Sequence, residues 1–516
     1  MNYKILWADD EIDLLKPHIL FLNQKGYDIV PVNSGADALE KIDHEVFDLV
    51  FLDENMPGMT GLETLNYIKS THPNLPVVMI TKSEEEQIME EAIGSKIADY
   101  LIKPLNPNQI LLSAKKILDN KRIISEKTNQ GYMQEFQKLS MEVQDLDDHE
   151  GWSDLYRKLV YWELEINSTE DKSMGEVLTN QQTEANQRFC DFVEDHYEDW
   201  LNDPDVDRPI LSHQLLKRKV FPLLKEEKPV FLIVIDNLRF DQWEILEPEI
   251  AEFFNIQEKD NYFSILPTTT AYARNSLFAG VMPLEIQQRY PELWSGEDEE
   301  GGKNNFEKEL LEKNIQKERL DIKFSYNKII KAQDGKNLVD NASNLLKNDL
   351  NAIVFNFVDM LSHARTDMAM IRELAPDESG YRSLTKSWFG HSSLFDLLKF
   401  LAGKDVKVVI TTDHGTIRVK KPFKIIGDRN TNTNLRYKQG KNLAFDQEGV
   451  FSTRNPEDLR LPKVNVSTSF AFAREDIFFA YPNNYNYYVN FYKDTFQHGG
   501  MSMEEMIIPY VVLNPK

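Results

Sequence analysis

The chain is nearly without cysteine. Its 516 residues hold one, Cys190, which excludes an intrachain disulfide and a thiolate metal cluster and points to a reducing compartment. Long apolar runs are missing as well. No stretch reaches the ~18 apolar residues of a membrane span, so no membrane insertion is expected. The opening Met1-Asn2-Tyr3-Lys4-Ile5-Leu6-Trp7-Ala8-Asp9-Asp10 is too short and too acidic for a secretory leader, and a cytoplasmic protein is expected. Positive charge is in deficit: 59 Lys and Arg stand against 84 Asp and Glu, a net −25, which argues against binding nucleic acid or anionic lipid through bulk charge. What is present is 41% apolar and 11% aromatic residues, enough for sizeable cores, over a length that suits two to four domains.

The first ~120 residues alternate short apolar runs with helical patterns, which predicts a parallel sheet covered on both faces. Residues 3–8 end on Asp9-Asp10, 48–52 on Asp53, 76–80 on Thr81, and 99–102 on Lys103-Pro104. One sheet edge thus receives three acids, a hydroxyl and an ammonium. Clustered carboxylates without His or Cys suit Mg²⁺, and an Asp beside it can accept a phosphoryl group. Asp9, Asp10, Asp53-Glu54-Asn55-Met56-Pro57, Thr81, Tyr100 and Lys103 together resemble a response-regulator receiver domain over residues 1–120. The resemblance implies phosphorylation of Asp53 by a sensor histidine kinase and Mg²⁺ held by Asp9, Asp10, Asp53 and Asn55. It also implies a switch made of Thr81, Lys103 and Tyr100. Lys82 stands where the family usually has a small residue.

Residues 121–210 read as amphipathic helix throughout: Trp152, Leu155, Leu159 and Trp162 recur every three or four positions. A helical linker domain is expected, with a break near Gly131 and a polar loop or frayed join over 167–186.

From 211 to the end, three near-continuous apolar runs predict strands covered on both faces, each closing on a carboxylate. Residues 229–235 end on Asp236, 352–358 on Asp359 with His363 four later, and 406–412 on Asp413-His414-Gly415. If these strands are parallel neighbours, the groups meet in one crevice at their carboxyl ends. His498 follows in Gln497-His498-Gly499-Gly500. Asp and His without Cys suit Zn²⁺, with Mn²⁺ or Mg²⁺ possible, and two adjacent ions can clamp both oxygens of a phosphoryl transfer. Thr268-Thr269-Thr270, before a predicted helix start, supplies hydroxyls for a nucleophile. A run of cations between Arg418 and Lys441, with Lys420, Lys421, Lys424, Arg429, Arg436 and Lys438, reads as a phosphate-steering loop, and the aromatics of 478–492 as base-stacking or core.

Asp236, the Thr-rich turn before Gly280, Asp359-x-x-x-His363, Thr412-Asp413-His414-Gly415 and His498-Gly499-Gly500 make residues 211–516 similar to the PglZ-type branch of the alkaline phosphatase superfamily. The resemblance implies an α/β domain with two Zn²⁺ ions (Mn²⁺ possible). One would be held by Asp236, Asp413, His414 and the nucleophile, and the other by Asp359, His363 and His498. It places the nucleophile on Thr270, with Thr268 and Thr269 as alternatives. Arg274, Arg418, Lys420 and Lys421 are the expected substrate contacts. The whole layout resembles the PorX-like response regulators associated with type IX secretion. The function this implies is a phosphohydrolase, a phosphodiesterase before a monoesterase, acting on nucleotide or oligonucleotide substrates and dimerising on phosphorylation. The alternative is a signalling adaptor whose structural metal domain binds a sigma factor or a secretion component.

Overall fold

A computed structural model of the chain describes residues 3–82, 97–169, 173–295, 304–428, 431–441, 443–445 and 449–516. Arg429 and the acidic stretch 297–300 lie outside them. The chain divides into two compact units, Met1–Gln134 with Ser168–Lys172, and Glu135–Asn167 with Ser173–Lys516.

The first unit is a parallel sheet of β1 (Lys4–Ala8), β2 (Asp28–Val32), β3 (Leu49–Asp53), β4 (Val77–Thr81) and β5 (Asp99–Ile102), in the order β2-β1-β3-β4-β5. Strand side chains alternate between two cores, Leu6, Val50, Leu52 and Met79 on one face and Ile5, Trp7, Phe51 and Ile80 on the other. Helix α1 (Lys16–Gln24), α2 (Gly35–His44) and α3 (Gly61–Thr71) cover the faces. Ser34 caps α2, and Thr60 with Glu63 forms a capping box on α3.

Helix α4 (Pro107–Asp145) then runs unbroken through Gly131, where a break was expected. A mid-helix Gly costs only ~1 kcal/mol, and the next residue, Tyr132, is fully buried. Helix α5 (His149–Ser168) and α6 (Gly175–Asn202) follow. The expected loop over 167–186 is therefore corrected: from Gly175 on it is helix. Its polar side chains have partners, because Gln181 Nε2 donates to Ser140 Oγ at 2.8 Å. Trp152 packs on Phe189 and Phe192 to join α5 to α6.

The second unit is built on a six-stranded sheet of β6 (Val230–Ile235), β7 (Phe254–Phe263), β8 (Phe324–Ile329), β9 (Leu350–Phe355), β10 (Lys407–Thr411) and β11 (Ile507–Pro515). Their order is β7-β11-β10-β6-β9-β8. β10, β6, β9 and β8 are parallel, and β11 and β7 close the sheet antiparallel. Phe231, Ile233, Ile353 and Ile410 face one core, Val230, Leu232, Val354 and Val409 the other. This double coverage is why the strands read as continuous apolar runs. The strand order sets β10, β6 and β9 side by side, so one crevice receives Asp236, Asp359 and Asp413; the run expected as strand to residue 358 is corrected, since β9 ends at Phe355 and Asp359 lies in a helix that begins at Phe357. Among the described residues no helix is long and apolar enough to cross a membrane.

Candidate functional site

Asp236, Asp413 and His414, all fully buried, offer ligand atoms close enough for one cation. Asp359, His363 and His498 form a second such group. The two share a wall, since the His414 and His498 rings stack at 4.3 Å. Each of these imidazoles has Nδ1 against a backbone carbonyl, His414 on Gly415 at 3.1 Å and His498 on Thr268 at 3.3 Å, which leaves Nε2 facing the carboxylates. Asp359 lies on helix α7 (Phe357–Asp367), one turn before His363. Its Oδ1 is 3.5 Å from His498 Nε2 and its Oδ2 is 3.6 Å from His363 Nε2.

Thr270 opens the helical turn Thr270–Arg274 that continues into Asn275–Ala279. Its Oγ1 donates to Asp236 Oδ1 at 3.3 Å and lies 3.1 Å from His414 Nε2. Thr268 instead accepts from the Gly499 amide at 3.0 Å and donates to the Gly500 carbonyl at 2.8 Å. Of the three threonines, Thr270 is the one whose hydroxyl meets both an acid and an imidazole of the first group. Gly499 has φ +124, and a Cβ there would come within 2.8 Å of Tyr437, so the close approach requires glycine.

Electrostatics separates the two groups. Burial pushes Asp236 well above the usual carboxylate range and His414 down to about 4. Burial acts to raise Asp359 too, but the contact with His498 and the charges of His363 and His414 hold it below. Burial acts to lower His498, and Asp359 overrides it, so its pKa is raised. A divalent cation fits this donor set. Asp413 Oδ2 is a buried oxygen with no hydrogen-bond partner, the kind of acceptor a cation satisfies. Oxygen and imidazole donors without sulfur suit Zn²⁺ or Mn²⁺.

Three asparagine and acid positions carry weight here that sequence reading missed. Asn237, held at φ 65, donates its amide to Asp413 Oδ1 at 3.4 Å and its side chain to Asp359 Oδ1 at 3.3 Å, tying the groups together. Asn356 Nδ2 donates to Asp236 Oδ2 at 3.0 Å. Glu307 accepts from Arg274 Nε at 2.5 Å. Adjacency to the strand-end Asp236 was the available signal for Asn237; Asn356, between Phe355 and Phe357, and Glu307 had none of that kind.

The expected substrate contacts are corrected in part. Arg274 is fully buried behind Asp236 and paired with Glu307, out of reach of a ligand. Arg418 and Lys420 line a cavity of about 360 Å³ shared with α5 and α6, to which no residue of either metal-type group contributes. Arg418 pairs with Asp494 at 3.2 Å, and Lys421 with Glu475 and Asp476 at 3.0 and 3.2 Å. Arg436 and Lys438 of the same basic run are buried. The aromatics of 478–492 divide: Phe478 and Phe479 are core, whereas Tyr487 and Tyr488 are exposed.

In the first unit Asp9, Asp10 and Asp53 also cluster at cation distance. Lys103 Nζ bridges Asp9 Oδ2 at 2.9 Å and Asp53 Oδ1 at 2.8 Å. Burial raises Asp53 against the pull of Lys103. Asn55 is exposed beside this cluster, and Tyr100 is exposed on β5. Thr81 Oγ1 donates to Glu54 Oε2 at 2.5 Å, a partner the sequence did not suggest. Lys82 meets Glu11 at 3.4 Å.

Comparison with known proteins finds the three parts in the expected order. Residues 5–115 match the response regulator receiver domain, 122–201 the PorX response regulator linker domain, and 215–513 the BREX system PglZ alkaline phosphatase-like domain. The transcriptional regulatory protein ZraR of Escherichia coli O157:H7 is 36% identical over 127 residues, 25% of this chain and 29% of that protein. PhoP of Bacillus subtilis, an alkaline phosphatase synthesis transcriptional regulator, is 31% identical over 125 residues, 24% of this chain and 51% of that protein. The chain thus spans less than two thirds of the length of either relative. A CheY-like receiver domain protein from Methanospirillum hungatei JF-1 is 27% identical with a TM-score of 0.23, covering 23% of this chain and 96% of that one. The PglZ match alone takes in more than half of the residues, and with the receiver and linker before it, the chain belongs to the PglZ alkaline phosphatase-like family in the PorX-like response-regulator arrangement.

Proposed function

We propose that this response regulator is a phosphohydrolase with two metal ions, a phosphodiesterase before a monoesterase, acting on nucleotide or oligonucleotide phosphodiesters. Asp236, Asp413, His414 and Thr270 would hold one Zn²⁺ (or Mn²⁺), and Asp359, His363 and His498 the other. The observation that carries this is the Thr270 hydroxyl set between Asp236 and His414, on the wall that the two donor groups share. When bound, the ions lower the hydroxyl's pKa and neutralise phosphate oxygens. Thr270 Oγ1 gives up its proton to solvent and forms a bond to phosphorus as the bond to the leaving alcohol breaks. The alkoxide takes a proton from solvent, and a water then hydrolyses the threonyl ester and restores the hydroxyl. Asn237 and Asn356 hold the carboxylates in place, and the Nδ1 contacts of His414 and His498 keep Nε2 toward the reacting centre. Trp200 and Tyr197 from the helical segment back the chain that leads to the nucleophile turn, Trp200 against Phe263 at the end of β7 and Tyr197 accepting the Leu266 amide at 2.8 Å.

Control comes from the receiver. A sensor histidine kinase would phosphorylate Asp53, with Mg²⁺ on Asp9, Asp10, Asp53 and the Asn55 position, and Thr81, Lys103 and Tyr100 as the switch. The reading extends to dimerisation on phosphorylation, a cytoplasmic location, type IX secretion as the regulated process, and domain limits of 1–120, 121–210 and 211–516. The test is Thr270→Val assayed on a chromogenic phosphodiester. Loss of turnover with unchanged circular dichroism is expected; wild-type turnover by the variant would overturn the assignment. Bound metal without hydrolysis of any ester by the native chain would favour the adaptor instead.

A further inference from the structure

Arg274 and Glu307 form a pair so deeply buried that neither meets solvent, directly behind the first donor group. Burying an ion pair is poor stabilisation, because desolvation cancels most of the attraction. Charge balance alone does not set a direction: Glu307 is offset by Lys328, which leaves the single charge of Arg274 before the two carboxylates Asp236 and Asp413. Geometry does. Glu307 Oε1 takes Arg274 Nε at 2.5 Å, and its Oε2 takes the Tyr326 hydroxyl and Lys328 Nζ, the latter at 3.0 Å. Pinned in this way, the guanidinium holds Nη1 in ion-pair contact with Asp236 Oδ2, 2.7 Å away. Asn356 reaches the same oxygen at 3.0 Å. Asp236 is therefore fixed with Oδ2 turned to Arg274 and Asn356, and Oδ1 turned to Thr270 and to His414 Nε2 at 3.3 and 3.8 Å. The same Nη1 lies 3.7 Å from Asp413 Oδ2, the unpartnered oxygen.

We propose that Arg274, oriented by Glu307, is a positioning residue that presents a single oxygen of Asp236 to the cation in the Asp236, Asp413 and His414 group. This rests on the two-metal reading above. The planar fork is essential to it, because a lysine ammonium cannot hold Glu307 and Asp236 in fixed directions at once. Residues behind metal ligands typically change metal affinity by about 10- to 100-fold when replaced.

The experiment is Zn²⁺ binding to the full-length chain stripped of metal, by chelator competition, with Co²⁺ absorption as a site-specific signature. His363→Ala, at an exposed ligand, identifies which of the two ions occupies the other group. Arg274→Lys should weaken the remaining ion about 10- to 100-fold, leave the His363-dependent ion unchanged, and alter the Co²⁺ spectrum of the first site alone. Glu307→Gln, which preserves shape, should act in the same direction and is the readout should Arg274→Lys fail to fold. Two unaltered affinities in a folded variant, or equal weakening at both sites, would overturn the positioning role while leaving the two-metal reading standing. Native protein that takes up no divalent ion would overturn both.

Discussion

Replacing Arg436 should damage the fold and leave substrate recognition alone, although its place in a basic run suggests phosphate steering. The side chain is fully buried. Its Nη2 lies 2.6 Å from Glu505 Oε2 and its Nε 3.1 Å from Oε1, and it also donates to the Ile477 carbonyl. Glu505, equally buried, accepts in addition from the Gly500 amide and the Ser502 hydroxyl, each at 2.9 Å. Arg436→Met strands this carboxylate in the interior, and breaking one side of a buried pair costs about 3–5 kcal/mol. A chain of several domains does not unfold in one step, so the suitable assay is local. Hydrogen exchange at the amides of Gly500, Met501 and Ala473 should speed up roughly a hundred- to several-thousand-fold at 1.4 kcal/mol per tenfold. The double variant Arg436→Met, Glu505→Gln should recover most of the loss, because the glutamine oxygen still accepts from Gly500 and no charge is stranded. An Arg436→Met protein with native exchange rates and a raised KM would refute the reasoning and restore the steering role.

Two further outcomes follow. Burial raises Glu504 from 4.5 to about 7, with Asn186 on α6 donating to both oxygens. The folded chain then holds a proton that the unfolded chain has released, so this group's contribution is full below pH 4.5 and is lost as pH rises through about 7, roughly 3 kcal/mol at most. Glu504→Gln should flatten that decline in denaturant midpoint against pH; an unchanged slope would count against it. Beryllofluoride with Mg²⁺ should convert the chain to a dimer by light scattering, and Asp53→Asn should abolish the shift; a constant mass in both would remove dimerisation as the output.

The parallel sheets were legible because strands covered on both faces leave continuous apolar runs, and each run ended on the acid that the fold delivers to the crevice. Asp236 and Asp413 needed only strand adjacency to meet, and topology supplied it, whereas Asp359 arrives on the first turn of α7 after β9 has ended at Phe355. What stayed hidden depends on contacts distant in the chain. The cations of 418–441 show their sign in sequence but not their partners, Asp494, Glu475, Asp476 and Glu505, which arrive from later segments. Asn186 sits in a polar stretch that resembles a loop, yet it receives the Met503 amide at 2.8 Å and grips Glu504.

The strand ends also explain why the two donor groups differ. Asp236, Asp413 and His414 follow directly from β6 and β10, where the sheet and both cores enclose them. Asp359 and His363 lie instead on a helix that leaves the sheet edge, and the His363 side chain is 65% exposed. Solvent therefore reaches the second group and not the first. On the two-metal proposal, an ion entering the first group would shed its water against groups already fixed by Arg274, Asn237 and Asn356, whereas an ion in the second would keep water beside His363. Ligand exchange would accordingly be easier at the His363 side, which is where a phosphoester approaching Thr270 would first meet the centre.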